Sequence, residues 1–290
     1  MTKPMSILNI LLLMALVSWA ANTQARDQPS GEETKVTLDQ TLEWRMQNGQ
    51  GHSYRILVSK PEGELPYTGG YPVIYVLDAN AYFASLHEAK RAQKQYRQAI
   101  IVGIAYLGDD PHNFLRRAYD FSPPVSEEAN SPPQGGQDVL LDFLEQQVMP
   151  AVAERFPVNE SQQSLYGHSF GGMFAIYTLF TRPELFNHVV AASPSLWWND
   201  RYLLKHEREF RQRVEVGGVD VTHRSLSLIV ADGDSLQNQQ DAAQLFERLS
   251  GLSGYGLRSS YHIVDHEDHM SVPFSIENRV LAQLVKTRNE

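Results

Sequence analysis

The sequence predicts an α/β fold with a mostly parallel central sheet, an N-terminal antiparallel hairpin and helices on both faces. Apolar, strand-like runs alternate with helical segments along most of the chain, which is the pattern of a parallel sheet covered by helices. Two alternating segments near the N-terminus flank Asn48-Gly49-Gln50-Gly51, a typical hairpin turn. A Gly-x-Ser-x-Gly motif, Gly167–Gly171, lies between a strand candidate and a helix candidate.

Composition limits the class of protein. The chain has 290 residues, of which 42% are hydrophobic and 20% charged, as in ordinary globular proteins. That length suits one α/β domain, and no internal repeat or second boundary is visible, so residues 35–290 are predicted to form a single domain. The net charge of −9 argues against a nucleic-acid partner and against binding to anionic lipid.

Residues 1–25 are predicted to be a signal peptide, and residues 26–34 a flexible lead-in. Lys3 supplies the positive charge, and the apolar stretch 7–21 is too short for a comfortable membrane span. Small residues near Ala20 and Ala25 offer two cleavage sites. The chain lacks cysteine, but a domain of this size folds without disulfides. We expect a periplasmic or secreted protein that leaves the membrane after cleavage; the alternative is an uncleaved anchor.

The first predicted elements form the hairpin and two buried strands. Residues 35–46 and 52–59 alternate between polar and apolar side chains, as in half-buried strands. Residues 71–78 and 99–104 are continuous apolar runs, which predict buried strands, with a helix at 82–96 between them.

A long segment and a regular second half follow. Residues 108–136 are rich in proline, glycine and acids, and are predicted to form an irregular stretch above the sheet. Strands are then predicted at 163–166, 188–192, 225–230 and 258–264, and helices at 139–155, after Ser169, and at 200–214, 237–252 and 273–286.

The Gly-x-Ser-x-Gly motif predicts a nucleophile elbow and therefore an α/β-hydrolase fold. In this turn Ser169 takes a strained conformation and stands clear of the sheet, while Gly167 and Gly171 let strand and helix cross closely. The amide of Phe170, at the helix N-terminus, is predicted to stabilise an oxyanion. The alternative is a turn of small residues that only packs.

The catalytic partners are expected in the order serine, acid, histidine, each after a later strand. His269 lies in the loop before the last helix and is the predicted base; His266 is the alternative, and His262 lies inside a strand. Asp234 and Asp232 both follow the strand 225–230, and Asp234 is favoured as the acid.

Other polar residues near these loops have alternative interpretations. His266 and His269 with Asp268 would make a metal site, but no third histidine or cysteine is near, so neither a metal nor an organic cofactor is predicted. A backbone amide near Asn80 is the predicted second oxyanion donor. Asp241 is expected to face solvent, and His168 to pack or to face the substrate.

Several segments together resemble a known family, the esterase D-like putative esterases, and within it the periplasmic siderophore esterases that open enterobactin and salmochelin. They cover nearly all of the predicted mature chain: 71–78, 117–123, 143–150, 167–172, 193–198 and 269–272. The resemblance implies an exported serine esterase that opens the trilactone of a ferric catecholate siderophore through an acyl-serine. Some such esterases work with a Ser–His pair and no well-placed acid.

Four residues are predicted to bind that substrate: Arg117, Trp197, Trp198 and, in its substrate-facing interpretation, His168. The indoles of Trp197 and Trp198 suit stacking on catechol rings. Arg117, together with Arg116, would attract the anionic ferric complex, although either arginine near Asp120 would also serve to hold the loop. The alternatives are a feruloyl or acetyl esterase, an acyltransferase of the mycolyl-transfer type, and a siderophore-binding protein without activity. If the prediction of a signal peptide were wrong, a cytosolic S-formylglutathione hydrolase would again be an alternative.

Overall fold

The computed structural model describes residues 36–67 and 69–283, and its centre is an eight-stranded mixed sheet surrounded by helices. The spatial order of the strands is β1-β2-β4-β3-β5-β6-β7-β8. The strands are β1 Thr41–Gln47, β2 Ser53–Ser59, β3 Tyr71–Val76, β4 Ile100–Ala105, β5 Val158–His168, β6 His188–Ala192, β7 Ser225–Ala231 and β8 Arg258–Val264.

The helices occupy the connections between the strands. They are α1 Ala79–Ala92, α2 Phe114–Asp120, α3 Gln137–Phe143, α4 Met149–Arg155, α5 Phe170–Thr181, α6 Trp198–Arg201, α7 Leu203–Glu215, α8 Leu236–Ser250, α9 Val272–Ser275 and α10 Glu277–Ala282. Short 3-10 turns occur at Lys94–Tyr96, Glu127–Ala129 and Ser253–Tyr255, and a π-helical turn at Leu144–Val148 joins α3 to α4.

The antiparallel part of the sheet is its N-terminal side. β2 pairs antiparallel with both β1 and β4. Tyr54, Ile56 and Val58 alternate along β2 and point into the core, whereas β1, at the edge of the sheet, is mostly exposed or half-buried. The predicted N-terminal hairpin is confirmed.

From β4 to β8 every pair of neighbouring strands is parallel. β4, β6 and β7 are buried along their whole length, which explains why their sequences are mostly apolar and why the two serines of β7 are small and buried. The predicted fold class, a mostly parallel sheet with an antiparallel N-terminal side, is confirmed.

Four predicted elements differ in detail. The segment 108–136 is not irregular throughout, because it contains α2. The predicted helix 139–155 is divided by the π-helical turn just before Pro150, whose nitrogen cannot donate a helical hydrogen bond. The helix predicted from 200 begins at Leu203, because Asn199, Asp200 and Arg201 all have positive φ. The predicted last helix is two short helices, and its final residues, with the predicted signal peptide and lead-in, lie outside the described residues.

The parallel strands bring their carboxyl ends to one edge of the sheet, called here the carboxyl edge. In parallel sheets this edge is where ligand sites are built. β3 leads into Asp78, β5 into Ser169, β6 into Ser193, β7 into Asp234, and β8 into the loop that carries His269. Across residues 36–67 and 69–283, no helix is long and apolar enough to cross a bilayer.

Candidate active site

Ser169 lies in a sharp turn between β5 and α5. Its φ of 57° is left-handed, a conformation that costs a non-glycine residue about 1–3 kcal/mol and often marks functional sites. The turn requires glycine at 167, because a Cβ there would lie 2.2 Å from the carbonyl oxygen of Gly171. The predicted strand–turn–helix geometry around the serine is therefore present.

Three side chains from three strand ends form one hydrogen-bonded chain. The Oγ of Ser169 is 3.1 Å from Nε2 of His269, and Nδ1 of His269 is 2.7 Å from Oδ1 of Asp234. The ionised carboxylate of Asp234 accepts a hydrogen bond from Nδ1–H of His269, so the other ring nitrogen, Nε2, carries no proton and can accept one from Ser169. The structure thus brings together the three residues that the sequence predicts for catalysis.

Asp234 is fixed by two further donors. The hydroxyl of Ser193 donates to its Oδ2 over 2.5 Å, and the amide of Ala231 donates to the same oxygen over 3.0 Å. Burial opposes ionisation, but the hydrogen bonds from His269, Ser193 and Ala231 outweigh it and keep the pKa of Asp234 below its usual value. The carboxylate is therefore charged at neutral pH.

The alternative acid, Asp232, and the alternative base, His266, take part in contacts of the loop between β8 and α9. Asp232 is exposed, and its carboxylate accepts hydrogen bonds from the amides of His266 and Glu267. His262 is half-buried within β8. No group of three or more histidine, cysteine, aspartate or glutamate side chains in the described part of the chain is placed to hold a metal ion.

Ser195 is a neighbour of Ser169 that the sequence did not single out for a role. Its Oγ lies 3.2 Å from Oγ of Ser169, and its amide donates to the Ser169 carbonyl over 3.1 Å. The side chain is almost fully buried. Its place two residues after Ser193, at the end of β6, was the available clue, since the end of that strand adjoins the elbow.

The predicted oxyanion donors lie at two facing helix N-termini. Phe170 is the first residue of α5, and within the described residues no acceptor is seen for its amide. The β3–α1 junction packs against this end of α5: a Cβ on Gly171 would lie 3.5 Å from Oδ2 of Asp78. Asn80 is in the first turn of α1, and its side chain holds the segment after β4 through both Tyr106 and Gly108.

The prediction that Arg117 binds substrate is not supported by its position. Arg117 is buried and makes a two-pronged ion pair with Asp78, at 3.0–3.3 Å. Arg116 is similarly paired with the buried Asp120, at 3.1 Å. Both guanidinium groups are therefore engaged within the protein, because each buried aspartate needs a cation. These arginines hold α2 in place, as the structural alternative predicted.

His168 does not face a substrate either. The side chain is 1% exposed, and its two ring nitrogens contact the hydroxyl of Tyr82, at 2.8 Å, and the backbone oxygen of His269, at 2.7 Å. It belongs to the packed layer beneath His269. Asp241 also differs from the prediction: it is buried and pairs with Arg201 at 2.9 Å.

The two tryptophans have different environments. Trp197 is 44% exposed, whereas Trp198 is half-buried and packs edge-on against Phe170 and Tyr202. Of the two, Trp197 is the one available to a ligand. Other exposed apolar side chains also lie on segments that follow the carboxyl ends of the strands: Leu107, Phe114, Leu115, Leu236 and Met270.

Comparisons with known proteins agree with this geometry. A family profile described as "Putative esterase" matches residues 48–272. The ferri-bacillibactin esterase BesA of Bacillus subtilis is 30% identical over 279 residues, which cover 89% of this chain and 94% of that protein. A siderophore triacetylfusarinine C esterase of Aspergillus fumigatus is 39% identical over 192 residues, 63% of this chain and 65% of that one. The crystal structure of BES protein from Bacillus cereus superposes with a TM-score of 0.80 at 29% identity, covering 88% of this chain and all of that one.

Proposed function

The chain belongs to the "Putative esterase" family and is a carboxylic ester hydrolase, and from this premise we propose that it is an exported serine esterase that opens siderophore esters. The observation that carries the serine mechanism is the hydrogen-bonded chain from Ser169 through His269 to Asp234 at the nucleophile elbow. The substrate class is supported by relatives whose names describe them as siderophore esterases.

The first half of the reaction forms an acyl-serine. Ser169 Oγ attacks the ester carbonyl carbon, and Nε2 of His269 takes the hydroxyl proton. Asp234 stabilises the imidazolium that results. The carbon–oxygen ester bond then breaks, and His269 gives its proton to the leaving alkoxide.

The second half releases the acid. A water molecule attacks the acyl carbonyl while His269 takes its proton, and the bond to Ser169 Oγ breaks with return of that proton to the serine. In both halves the negative oxygen is held by the amide of Phe170 and by a second amide from the first turn of α1, at or beside Asn80. A donor of this kind contributes about 10²–10³-fold to kcat in comparable sites.

For the substrate we propose the cyclic triester of a catecholate siderophore. Trp197 offers an exposed indole within two residues of Ser195, and Ser195 touches the nucleophile; an indole at that place suits a flat aromatic ring. The arginines predicted to attract the ferric complex are paired internally, so we assign binding to stacking and apolar contact. Opening the ring would loosen the hold on iron, because the three chelating arms lose their preorganisation.

Export is proposed from the sequence alone. The features of residues 1–25 support a cleaved signal peptide and a periplasmic or secreted enzyme, and the test is N-terminal sequencing of protein recovered from the periplasm and the medium. A mature chain that begins after Ala20 or Ala25 is expected. An intact Met1 on membrane-bound protein would contradict the proposal.

The mechanism is tested by incubating the protein with ferric and iron-free enterobactin and following the linear products by mass spectrometry. Ser169→Ala should abolish product formation, whereas Ser195→Ala, the matched hydroxyl deletion 3.2 Å away, should keep measurable turnover. A fluorophosphonate should label wild type and Ser195→Ala but not Ser169→Ala. Product formation by Ser169→Ala would refute the serine mechanism, and cleavage of aryl acetates with an intact trilactone would favour a general carboxylesterase.

The role of Trp197 is tested with two substrates of different size. Trp197→Ala should raise KM for the trilactone about 10-fold, the effect of losing roughly 1–1.5 kcal/mol of aromatic contact, and leave KM for an aryl acetate nearly unchanged. Tyr255→Ala, an exposed aromatic residue on the segment that leads into β8, is the control for loss of apolar surface. An equal rise in KM for both substrates would argue against a trilactone subsite at Trp197.

A further inference from the structure

Three hydrogen-bonded side chains, the half-buried His112 and the buried Tyr82 and His168, lead to the backbone of His269. Nε2 of His112 lies 2.9 Å from the hydroxyl of Tyr82, this hydroxyl lies 2.8 Å from Nδ1 of His168, and Nε2 of His168 lies 2.7 Å from the carbonyl oxygen of His269. His168 and Tyr82 are each 1% exposed. None of these three side chains touches Ser169 or Asp234.

The carbonyl oxygen of His269, at one end of these contacts, determines which atom carries the proton in each hydrogen bond. A carbonyl oxygen only accepts, so Nε2 of His168 must carry a proton and donate a hydrogen bond to the carbonyl oxygen of His269. Nδ1 of the neutral ring then accepts from the Tyr82 hydroxyl, which has one proton to give. The Tyr82 oxygen is left to accept from Nε2 of His112. All three contacts are satisfied by one arrangement of protons.

The charge of His168 agrees with this order. Burial, followed by the neighbouring His269 and Arg117, lowers the pKa of His168 to about 3, so the ring is neutral at physiological pH. Its ring centre is 4.8 Å from that of His269. When His269 becomes an imidazolium during the reaction, its neighbour is therefore a neutral ring and not a second cation.

We propose that His168 is a positioning residue for the esterase reaction, which holds the backbone of the catalytic base His269 in line with Ser169 and is itself held by Tyr82 and His112. This inference rests on the proposed serine mechanism. His168 directly precedes Ser169, so one dipeptide carries the nucleophile and also anchors its base. The loop of His269 otherwise has exposed side chains at Asp268 and Met270 on either side of it, and the bond from His168 ties it to the end of β5.

Two substitutions of His168 each remove one of its two hydrogen bonds and keep the other. A glutamine amide nitrogen reaches about as far as Nε2 of histidine, so His168→Gln keeps the donor to His269 and gives up the position of Nδ1. An asparagine amide reaches about as far as Nδ1, so His168→Asn keeps the contact with Tyr82 and loses the one with His269. Tyr82→Phe removes the hydroxyl between His112 and His168 and leaves His168 itself in place.

The experiment measures kcat and KM for an aryl acetate and for enterobactin, together with thermal melting. We expect His168→Asn to lower kcat about 10²-fold, as for a misplacement of about 1 Å, with KM changed less than about twofold. His168→Gln should recover most of kcat, and Tyr82→Phe should give an intermediate kcat. All three variants should melt cooperatively, which shows that they are folded. Their kcat should then fall in the order His168→Gln, Tyr82→Phe, His168→Asn.

Three results would overturn the positioning role: equal kcat for His168→Asn and His168→Gln, a change confined to KM, or losses that follow melting temperature and not the retained donor. Failure of the positioning role can be distinguished from failure of the serine mechanism. If Ser169→Ala is active, the serine mechanism fails whatever the His168 variants do. If Ser169→Ala is inactive and His168→Asn matches His168→Gln, the positioning role alone fails.

Discussion

Replacing Asp234 by asparagine tests the triad through the tautomer of His269. Oδ2 of Asp234 receives two donors, the Ser193 hydroxyl and the Ala231 amide, so the single oxygen of the asparagine side chain is required there. Its NH₂ group must then face Nδ1 of His269, 2.7 Å from the present Oδ1. Nδ1 becomes an acceptor, the ring proton moves to Nε2, and Nε2 can no longer take the proton of Ser169.

The expected loss follows from this reversal of polarity. A carboxylate-to-amide change that fixes the wrong tautomer lowers kcat by about 10⁴-fold in a comparable triad, or roughly 5.4 kcal/mol. The assay is kcat for an aryl acetate at pH 7–8, with thermal melting to verify folding. Asp232→Asn is the matched control, since Asp232 accepts only from loop amides, and less than tenfold loss is expected for it. A loss of less than tenfold in Asp234→Asn, or equal losses in both variants, would refute the reasoning and favour a Ser–His pair.

Three further predictions concern stability and pH. Arg117→Met leaves the buried Asp78 carboxylate unpaired, so the free energy of unfolding in urea should fall by about 3–5 kcal/mol; a fall below 1 kcal/mol would contradict a desolvated pair. Gly167→Ala forces a Cβ to 2.2 Å from the carbonyl of Gly171, and we expect little folded protein by circular dichroism; a fully active variant would contradict this contact. The pKa of Asp234 is lowered on folding, so its ionisation adds stability that is complete above the ordinary value of 3.8 and is lost as pH falls through the lower folded pKa. The pH dependence of unfolding below pH 5 should be shallower in Asp234→Asn, and identical slopes would contradict the shift.

The sequence predicted the fold and the three residues of the hydrogen-bonded chain because both depend on local patterns. Buried parallel strands are continuous apolar runs, and they place whatever follows them at one edge of the sheet. Ser169 and Asp234 follow such strands within a few residues, and His269 follows the half-exposed edge strand β8, so counting strands was enough to bring them together.

The contacts of individual polar side chains could not be predicted from the sequence. Arg117 lies 39 positions from Asp78, and the pairing depends on how α2 packs against the end of β3. The sequence left His168 either packed or facing the substrate, and the structure shows that its ring meets a carbonyl oxygen 101 positions away. Such contacts are decided by tertiary packing, for which no periodicity or motif in the chain is informative.

The exposed apolar residues on the segments after the strands have a consequence for the evolution of this enzyme. Trp197, Phe114, Leu236 and Met270 extend from loops or helix ends and bury little of themselves in the core. Natural selection can therefore exchange them one at a time without disturbing the sheet that holds the reacting groups. A lineage built on this scaffold would acquire new substrates by few substitutions while its chemistry stays the same, and a laboratory library directed at these positions should contain far more active variants than one directed at the strand ends.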